Sequence, residues 1–218
     1  ENSLKRMGVE TIDLYYQHKQ DPAVEPEAVA QTMNAFIREG KIRYWGISKC
    51  VVGSTSGGRM PSGKVAAVQM RYSMMARWHE AMFPLLEERN IGLVAYSPLA
   101  NGFLSAVQTG TEQYDRDLDF RSRMPQYTKD NMEKSRALLD GIHVMAQEKN
   151  ATPAQISLAW MLCKKPWIVP IPGTSKSVRI TENAGAADIS LSHDDINTID
   201  TLLDGIDLDV FGQWEKAQ

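Results

Sequence analysis

The sequence predicts an α/β fold in which helices cover a parallel sheet, either open and doubly wound or closed as a (β/α)8 barrel. Three observations lead to this prediction. Five apolar runs of strand-forming residues recur along the 218 residues, helical patterns separate most of them, and polar residues stand where successive strands end. No G-x-G-x-x-G motif follows any strand, which disfavours an open dinucleotide-binding sheet and favours the barrel.

The predicted strands are apolar on both faces, as buried parallel strands are. They span residues 11–17, 42–48, 64–70, 91–97 and 167–172. The polar residues at their C-terminal ends are His18, Ser48, Gln69, Tyr72, Tyr96, Ser97, Gly173, Thr174 and Ser175. In a barrel these ends surround one mouth, where barrel active sites lie, so their placement favours a catalytic His18 over a core histidine.

Helical patterns fill most of the connections between these strands. The predicted helical segments span residues 26–41, 79–90, 128–150, 152–166, 177–187 and 192–203. Thr152 and Ser192 are suitable N-caps, and Pro153 suits the first helical position. The apolar residues expected on inward faces are Val29, Met33, Phe36, Ile37, Met82, Leu85, Leu86, Leu138, Leu139, Ile142 and Met145.

The connection at 51–63 departs from this alternation. Its helix-opposing residues are Gly53, Gly57, Gly58, Pro61 and Gly63. Each glycine disfavours a helix by about 1 kcal/mol and the proline by about 3 kcal/mol, so we expect an irregular loop. A glycine-rich phosphate cradle is the alternative, although the segment lacks the G-K-[ST] ending of such loops.

Composition excludes several classes of protein. A net charge of −3 and a pI near 5.9 give no electrostatic footprint for nucleic acid. No apolar run approaches the roughly 18 residues that a membrane span needs. Cys50 and Cys163 lie far apart and in no metal-ligand spacing, which predicts a reducing cytoplasmic compartment and no metal site. Association into a homo-oligomer is left open.

Five segments resemble the aldo-keto reductase family, in register from residue 3 to about residue 205 except across 51–63. They read SLKRMGVETIDLYYQH, EGKIRYWGIS, VAAVQMRYS, GLVAYSPLANGFL and IVPIPGTSKSVRITEN, and they are similar to the family's barrel strands four to eight. The resemblance implies a (β/α)8 barrel that is incomplete over residues 1–218. It also implies hydride transfer between NADP(H) and a small-molecule carbonyl compound or alcohol.

The resemblance also implies roles for individual residues. His18 would be the strand-four histidine, which donates a hydrogen bond to the substrate carbonyl where negative charge develops. Ser48 and Gln69 would hold the carboxamide of the nicotinamide, whose ring would stack on Tyr96. Lys49 stands where many family members have asparagine, a departure from the carboxamide clamp. The residues expected to follow the pyrophosphate, on a loop running to about residue 128, are Ser97, Leu99, Asn101 and Gly102.

The segment GTSKSVRITEN, which ends the fifth, is the most specific piece of the resemblance. Its candidate cofactor residues are Gly173, Thr174, Ser175, Lys176, Arg179, Glu182 and Asn183. The backbone amides of the first three precede a helix N-terminus, which favours an anion. Lys176 and Arg179 lie one helical step apart and can grip a 2′-phosphate, while the last two can reach the adenine edge. A solvated helix face is the alternative explanation of these charges.

The family's aspartate, acid tyrosine and lysine belong to its first three strands, which no segment of this sequence resembles. Tyr15, Tyr16 and Lys19 cannot be assigned those roles. The first residues, with Gly8 as a C-cap, have the pattern of a helix tail, so we expect the chain to begin in mid-fold as part of a longer reductase. By itself it is expected to lack carbonyl reductase activity.

Two other interpretations remain open. A non-catalytic dinucleotide-binding subunit with the same fold would keep the cofactor residues without the proton donor. An unrelated barrel lyase or isomerase would leave the segment GTSKSVRITEN unexplained.

Overall fold

The strands form one five-stranded sheet in the order β1-β2-β3-β4-β5. A computed structural model describes residues 1–49, 64–105, 115, 117, 119–207 and 210. The strands assigned there are β1 (Ile12–Gln17), β2 (Ile42–Ser48), β3 (Ala67–Arg71), β4 (Gly92–Tyr96) and β5 (Ile168–Pro170). The loop predicted at 51–63 lies outside the described residues.

Helices lie between most of the strands, as predicted. Those assigned in the described residues are α1 (Asn2–Met7), α2 (Pro26–Arg38), α3 (Phe83–Glu88), α4 (Lys129–Lys134), α5 (Arg136–Glu148), α6 (Pro153–Lys164), α7 (Ser177–Ala184) and α8 (His193–Asp204). Both β1 with β2 and β2 with β3 pair in parallel. In a (β/α)8 barrel, strands that follow one another in the sequence are neighbours in the parallel sheet, which is the order seen here.

The chain divides into two compact units. The first comprises residues 1–49, 64–70 and 80–94. The second comprises 71–79 and the described residues from 95 onward.

The first unit is built around β2 and β3. Trp45, Ile47 and Val68 are fully buried. Gly46 is paired with Tyr16 across the β1–β2 ladder. A Cβ on this glycine would collide with the Tyr16 ring and would lie 2.8 Å from the Ala67 carbonyl oxygen. Close packing of β1 on β2 therefore requires glycine at this position.

The core of the second unit is built around α6. Trp160 is fully buried and stacks on Tyr72, with ring centroids 5.9 Å apart. Its indole N–H donates to the Asp200 carboxylate on α8 at 2.9 Å, and the other oxygen of that carboxylate accepts from Lys164 Nζ at 2.7 Å. The one polar atom of this large buried ring is thus paired, as burial demands.

The two N-caps predicted from the sequence are confirmed. Thr152 and Ser192 each accept from the backbone N–H three residues on, and Gln155 and Asp195 bond back to the caps. These reciprocal bonds satisfy two orphan donors at each helix start. Gly8 ends α1 with a φ of 66°.

Two predicted helices are shorter than the pattern indicated. The segment 79–90 forms a 3-10 turn at Glu80–Met82 followed by α3, because Pro84 fits only the first turn of an α-helix. The segment 128–150 forms α4 and α5, separated at Ser135. The Ser135 hydroxyl donates to the Asn131 carbonyl at 2.7 Å, a back-bond that commonly bends a helix.

Some strand and helix bounds also differ from the prediction. β3 begins at Ala67 rather than residue 64, and β5 ends at Pro170 because proline supplies no ladder donor. The segment 177–187 is α-helical only to Ala184 and continues as a 3-10 turn to Asp188. The expectation that Ile37 faces inward is wrong, since it is 36 % exposed.

Across the described residues, no helix combines the length and the apolar character needed to cross a lipid bilayer.

Candidate functional site

The predicted site residues divide between the two units. His18, Ser48 and Gln69 belong to the first unit. The residues from Tyr96 to Gly102 and from Gly173 to Asn183 belong to the second.

In the first unit, the ends of β2 and β3 bring Ser48 and Gln69 together. The Ser48 hydroxyl, almost completely buried, donates to the Gln69 main-chain carbonyl at 3.1 Å, and the Lys49 N–H donates to the same carbonyl at 3.1 Å. Because the hydroxyl proton is used, the Ser48 oxygen is left as an acceptor. His18 directly follows β1 and is exposed.

In the second unit, Tyr96 is the last residue of β4, and its side chain is half-buried. The guanidinium carbon of Arg71 lies 5.1 Å from the centroid of this ring. Arg71 Nη1 also donates to the Asn101 side-chain oxygen at 3.4 Å. Arg71 was not among the residues predicted from the sequence. It is nevertheless the last residue of β3, and strand ends are where several other candidates were predicted.

The loop after β4 has an unusual backbone. Positive φ angles occur at Ser97 (52°), Ala100 (48°), Asn101 (60°) and Gly102 (97°). The Tyr127 hydroxyl donates to the Asn101 carbonyl at 3.1 Å, which holds the loop from the side of the 3-10 turn at residues 125–127. Turns that alternate in the sign of φ can gather backbone N–H groups into an anion-binding concavity.

The segment before α7 is exposed and turned. The Thr174 hydroxyl oxygen accepts from the Lys176 N–H at 3.1 Å, and Arg179 N–H donates to the Lys176 carbonyl at 3.0 Å. Lys176 and the residues Gly173 to Ser175 are exposed, whereas Arg179 is half-buried. A fixed turn thus places two cations at the start of a helix, where the dipole adds to their attraction for an anion.

The two remaining residues of this segment differ in their surroundings. Glu182 Oε1 accepts from the Thr152 hydroxyl at 2.9 Å, and its main-chain carbonyl accepts from Gln155 Nε2 at 2.9 Å. Asn183 is 8 % exposed, and its side-chain oxygen has no hydrogen-bond partner among the described residues. A buried acceptor left unpaired costs about 1–3 kcal/mol.

Comparison with known proteins identifies the family. A sequence profile described as the Aldo/keto reductase family matches residues 1–204. An aldo-keto reductase named str7 from Strobilurus tenacellus is 33% identical over 201 residues, which is 90% of this chain and 59% of that protein.

Solved structures share the fold. The crystal structure of an aldo/keto reductase from Klebsiella pneumoniae with NADP and acetate is 26% identical, with a TM-score of 0.69, over 93% of this chain and 62% of that one. The glycerol dehydrogenase AKR11B4 from Gluconobacter oxydans is 24% identical, with a TM-score of 0.82, over 93% and 61%.

The chain spans about three fifths of the length of these relatives. The likeness confirms the predicted fold class, because a parallel five-stranded sheet with helices corresponds to an incomplete (β/α)8 barrel. The match of the family profile to nearly the whole chain, together with this fold, shows that the protein belongs to the aldo/keto reductase family.

Proposed function

We propose that this chain carries the cofactor site and the carbonyl-directing histidine of an NADP(H)-dependent oxidoreductase that reduces aldehydes or ketones to alcohols. The observation that carries the proposal is α7, whose start holds the exposed Lys176 and the half-buried Arg179. The crystal structures of the Klebsiella pneumoniae relative, one with NADP and one with NADPH, support the choice of cofactor.

The adenosine end of the cofactor suits the residues of α7. The Arg179 guanidinium has a planar fork that matches two phosphate oxygens, and Lys176 adds a second positive charge. Both residues would therefore favour NADP(H) over NAD(H), whose adenosine has no 2′-phosphate. The second oxygen of Glu182 would accept from an exocyclic amine such as that of adenine. The Asn183 oxygen, buried in this structure, would do the same after its amide turns outward.

The pyrophosphate and nicotinamide ends suit the residues that follow β4. The positive-φ loop would direct backbone N–H groups of Ser97, Leu99 and Asn101 to the pyrophosphate. Gly102, whose own N–H donates to the Leu99 carbonyl at 2.9 Å, would let the phosphate approach the backbone closely. The Tyr96 ring, half-buried at a strand end, offers an aromatic platform for a flat heterocycle. When bound, NADPH supplies the hydride.

The predicted roles of the first unit form part of the same proposal. His18, exposed directly after β1, would donate a hydrogen bond to a carbonyl oxygen and so stabilise the negative charge that develops there. Ser48, whose own proton is bound to the Gln69 carbonyl, would accept from an amide N–H of the nicotinamide carboxamide. A reducing cytoplasmic compartment fits the exposed free thiol of Cys163.

The test is a calorimetric titration of the chain with NADPH, using ATP as a control that lacks both the 2′-phosphate and the nicotinamide. We expect saturable binding of NADPH and much weaker binding of ATP. Absence of NADPH binding would overturn the proposal. A longer form of the protein that also contains the family's first three strands, and that binds NADPH without turnover of any aldehyde or ketone, would instead favour the non-catalytic dinucleotide-binding subunit.

A further inference from the structure

Arg71 connects two parts of the candidate cofactor site within the second unit, and no role was predicted for it. It is the last residue of β3 and is half-buried. Its guanidinium contacts the Tyr96 ring, and one of its nitrogens bonds to Asn101. A single side chain therefore touches both the aromatic platform and the positive-φ loop.

The contact with Arg71 restricts the orientation of the Tyr96 ring. A guanidinium carbon 5.1 Å from the ring centroid lies within the range of a cation–π interaction. The interaction holds the ring in one orientation and covers part of one face with the planar cation. A flat ligand ring would then meet a platform that is already oriented.

The contact with Asn101 acts on the loop. Asn101 has a φ of 60°, a conformation that non-glycine residues adopt only at a cost of about a kcal/mol or more and that surrounding contacts must maintain. Among the described residues two such contacts are seen, from Arg71 Nη1 to the side-chain oxygen at 3.4 Å and from the Tyr127 hydroxyl to the carbonyl at 3.1 Å. Arg71 and Tyr127 hold this residue by different atoms.

We propose that Arg71 is a positioning residue that fixes the Tyr96 ring and the Asn101 turn relative to each other, so that the nicotinamide and pyrophosphate parts of NADP(H) meet one preorganised surface. This inference rests on the proposed function. A binding surface that is ordered in advance loses less conformational freedom when the ligand binds, and so binds it more tightly. The effect should be confined to ligands that extend beyond the adenosine end.

The test compares NADPH with adenosine 2′-monophosphate, which has the adenine and the 2′-phosphate but neither the pyrophosphate nor the nicotinamide. We expect Arg71→Met to weaken NADPH binding about three- to tenfold and to change binding of the monophosphate less than about twofold. Arg71→Gln keeps a donor for Asn101 but has no charge for the Tyr96 ring, and it serves as a second variant with an intermediate expected loss. The matched control is Arg77→Met, which breaks an ion pair with Asp204 in the same unit and should leave the affinity for NADPH unchanged.

A double-mutant cycle with Tyr96→Leu shows whether Arg71 acts through the ring. If it does, Arg71→Met weakens NADPH binding in the wild-type background much more than in the Tyr96→Leu background. Unchanged NADPH affinity in both Arg71 variants, or equal losses for NADPH and the monophosphate, would overturn the inference. A wild-type chain that binds neither ligand would overturn the proposed function, and this inference with it.

Discussion

Thr152 and Glu182 join helices α6 and α7 through one hydroxyl group. The Thr152 oxygen accepts from the Gln155 N–H at 3.3 Å, which caps α6, and its proton is donated to the Glu182 carboxylate at 2.9 Å. Gln155 adds a second link, since its amide donates to the Glu182 main-chain carbonyl at 2.9 Å. The helix that carries the candidate phosphate-binding cations is thereby attached to the core helix α6.

We expect Thr152→Val to lower the free energy of unfolding by about 1–2 kcal/mol, because it removes both the helix cap and the bond to Glu182 at nearly constant volume. The measurement is urea denaturation followed by circular dichroism. Thr152→Ser is the matched control, since serine keeps the hydroxyl and caps equally well. Equal stability of the valine and serine variants would contradict the structural role of this hydroxyl.

Arg179→Ala tests the choice between NADP and NAD. Removing a charged hydrogen-bond donor should weaken NADP binding by about 1.5–3 kcal/mol, or about 10- to 150-fold, and NAD binding much less. Calorimetric titration of both cofactors gives the two losses. Arg136→Ala, on the exposed side of α5, is the control and should change neither affinity. Equal losses for NADP and NAD would show that Arg179 does not contact the 2′-phosphate.

His79 is expected to make stability depend on pH. Burial lowers its pKa from 6.5 to about 4, and the Trp78 indole N–H donates to its Nε2 at 3.0 Å, which requires the neutral ring. Between pH 4 and pH 6.5 the unfolded chain therefore binds a proton that the folded chain does not. The contribution of His79 to stability is complete above about pH 6.5 and declines as the pH falls towards 4, by up to about 3 kcal/mol.

Urea denaturation at several values of pH from 4.5 to 7 measures this dependence. His79→Gln removes the titrating ring, so the unfolding free energy of this variant should vary less with pH than that of the wild type. Trp78→Phe removes the indole donor but leaves the histidine, and should keep most of the dependence because burial is the main cause. If the unfolding free energies of the wild type and of His79→Gln had the same dependence on pH, His79 would not be the group responsible.

The 218 residues alone are expected to bind NADPH without reducing carbonyl compounds at an appreciable rate. Reduction requires a proton at the carbonyl oxygen, a positioned acid contributes about 10²–10⁴ in rate, and no residue of this sequence is assigned as that acid. The assay uses NADPH and a reactive aromatic aldehyde, with a mass-verified sample whose NADPH binding is measured in parallel. Turnover at the ordinary enzyme rate of about 1–10³ s⁻¹ would contradict this prediction.

Local signals in the sequence were sufficient for much of the fold. Thr152 with Pro153 and Ser192 predicted two helix starts that the structure confirms. The apolar runs predicted the five strands assigned in the described residues, and the barrel alternative implied their consecutive order in the sheet. These features depend on residues close together in the chain, whose propensities and hydrogen bonds act over a few positions.

The apolar pattern was a less reliable guide where a single residue interrupts a helix or where burial depends on a distant element. The apolar spacing across 79–90 and 128–150 predicted continuous helices, but Pro84 and the back-bonded Ser135 divide them. Ile37 has the spacing of an inward residue, yet its exposure depends on what packs against α2. Periodicity reports which face of a helix is apolar and not whether another element covers it.

The contacts around the candidate site were decided by the tertiary structure alone. Arg71 meets Tyr96 and Asn101, which are 25 and 30 positions away in the chain, and Thr152 meets Glu182 at a separation of 30. The sequence showed that Arg71 stands at a strand end and that Glu182 follows a cationic turn. Which side chain lies against which is settled only when the strands and helices pack, because hydrogen bonds and cation–π contacts act over a few ångströms in space, whatever the distance along the chain.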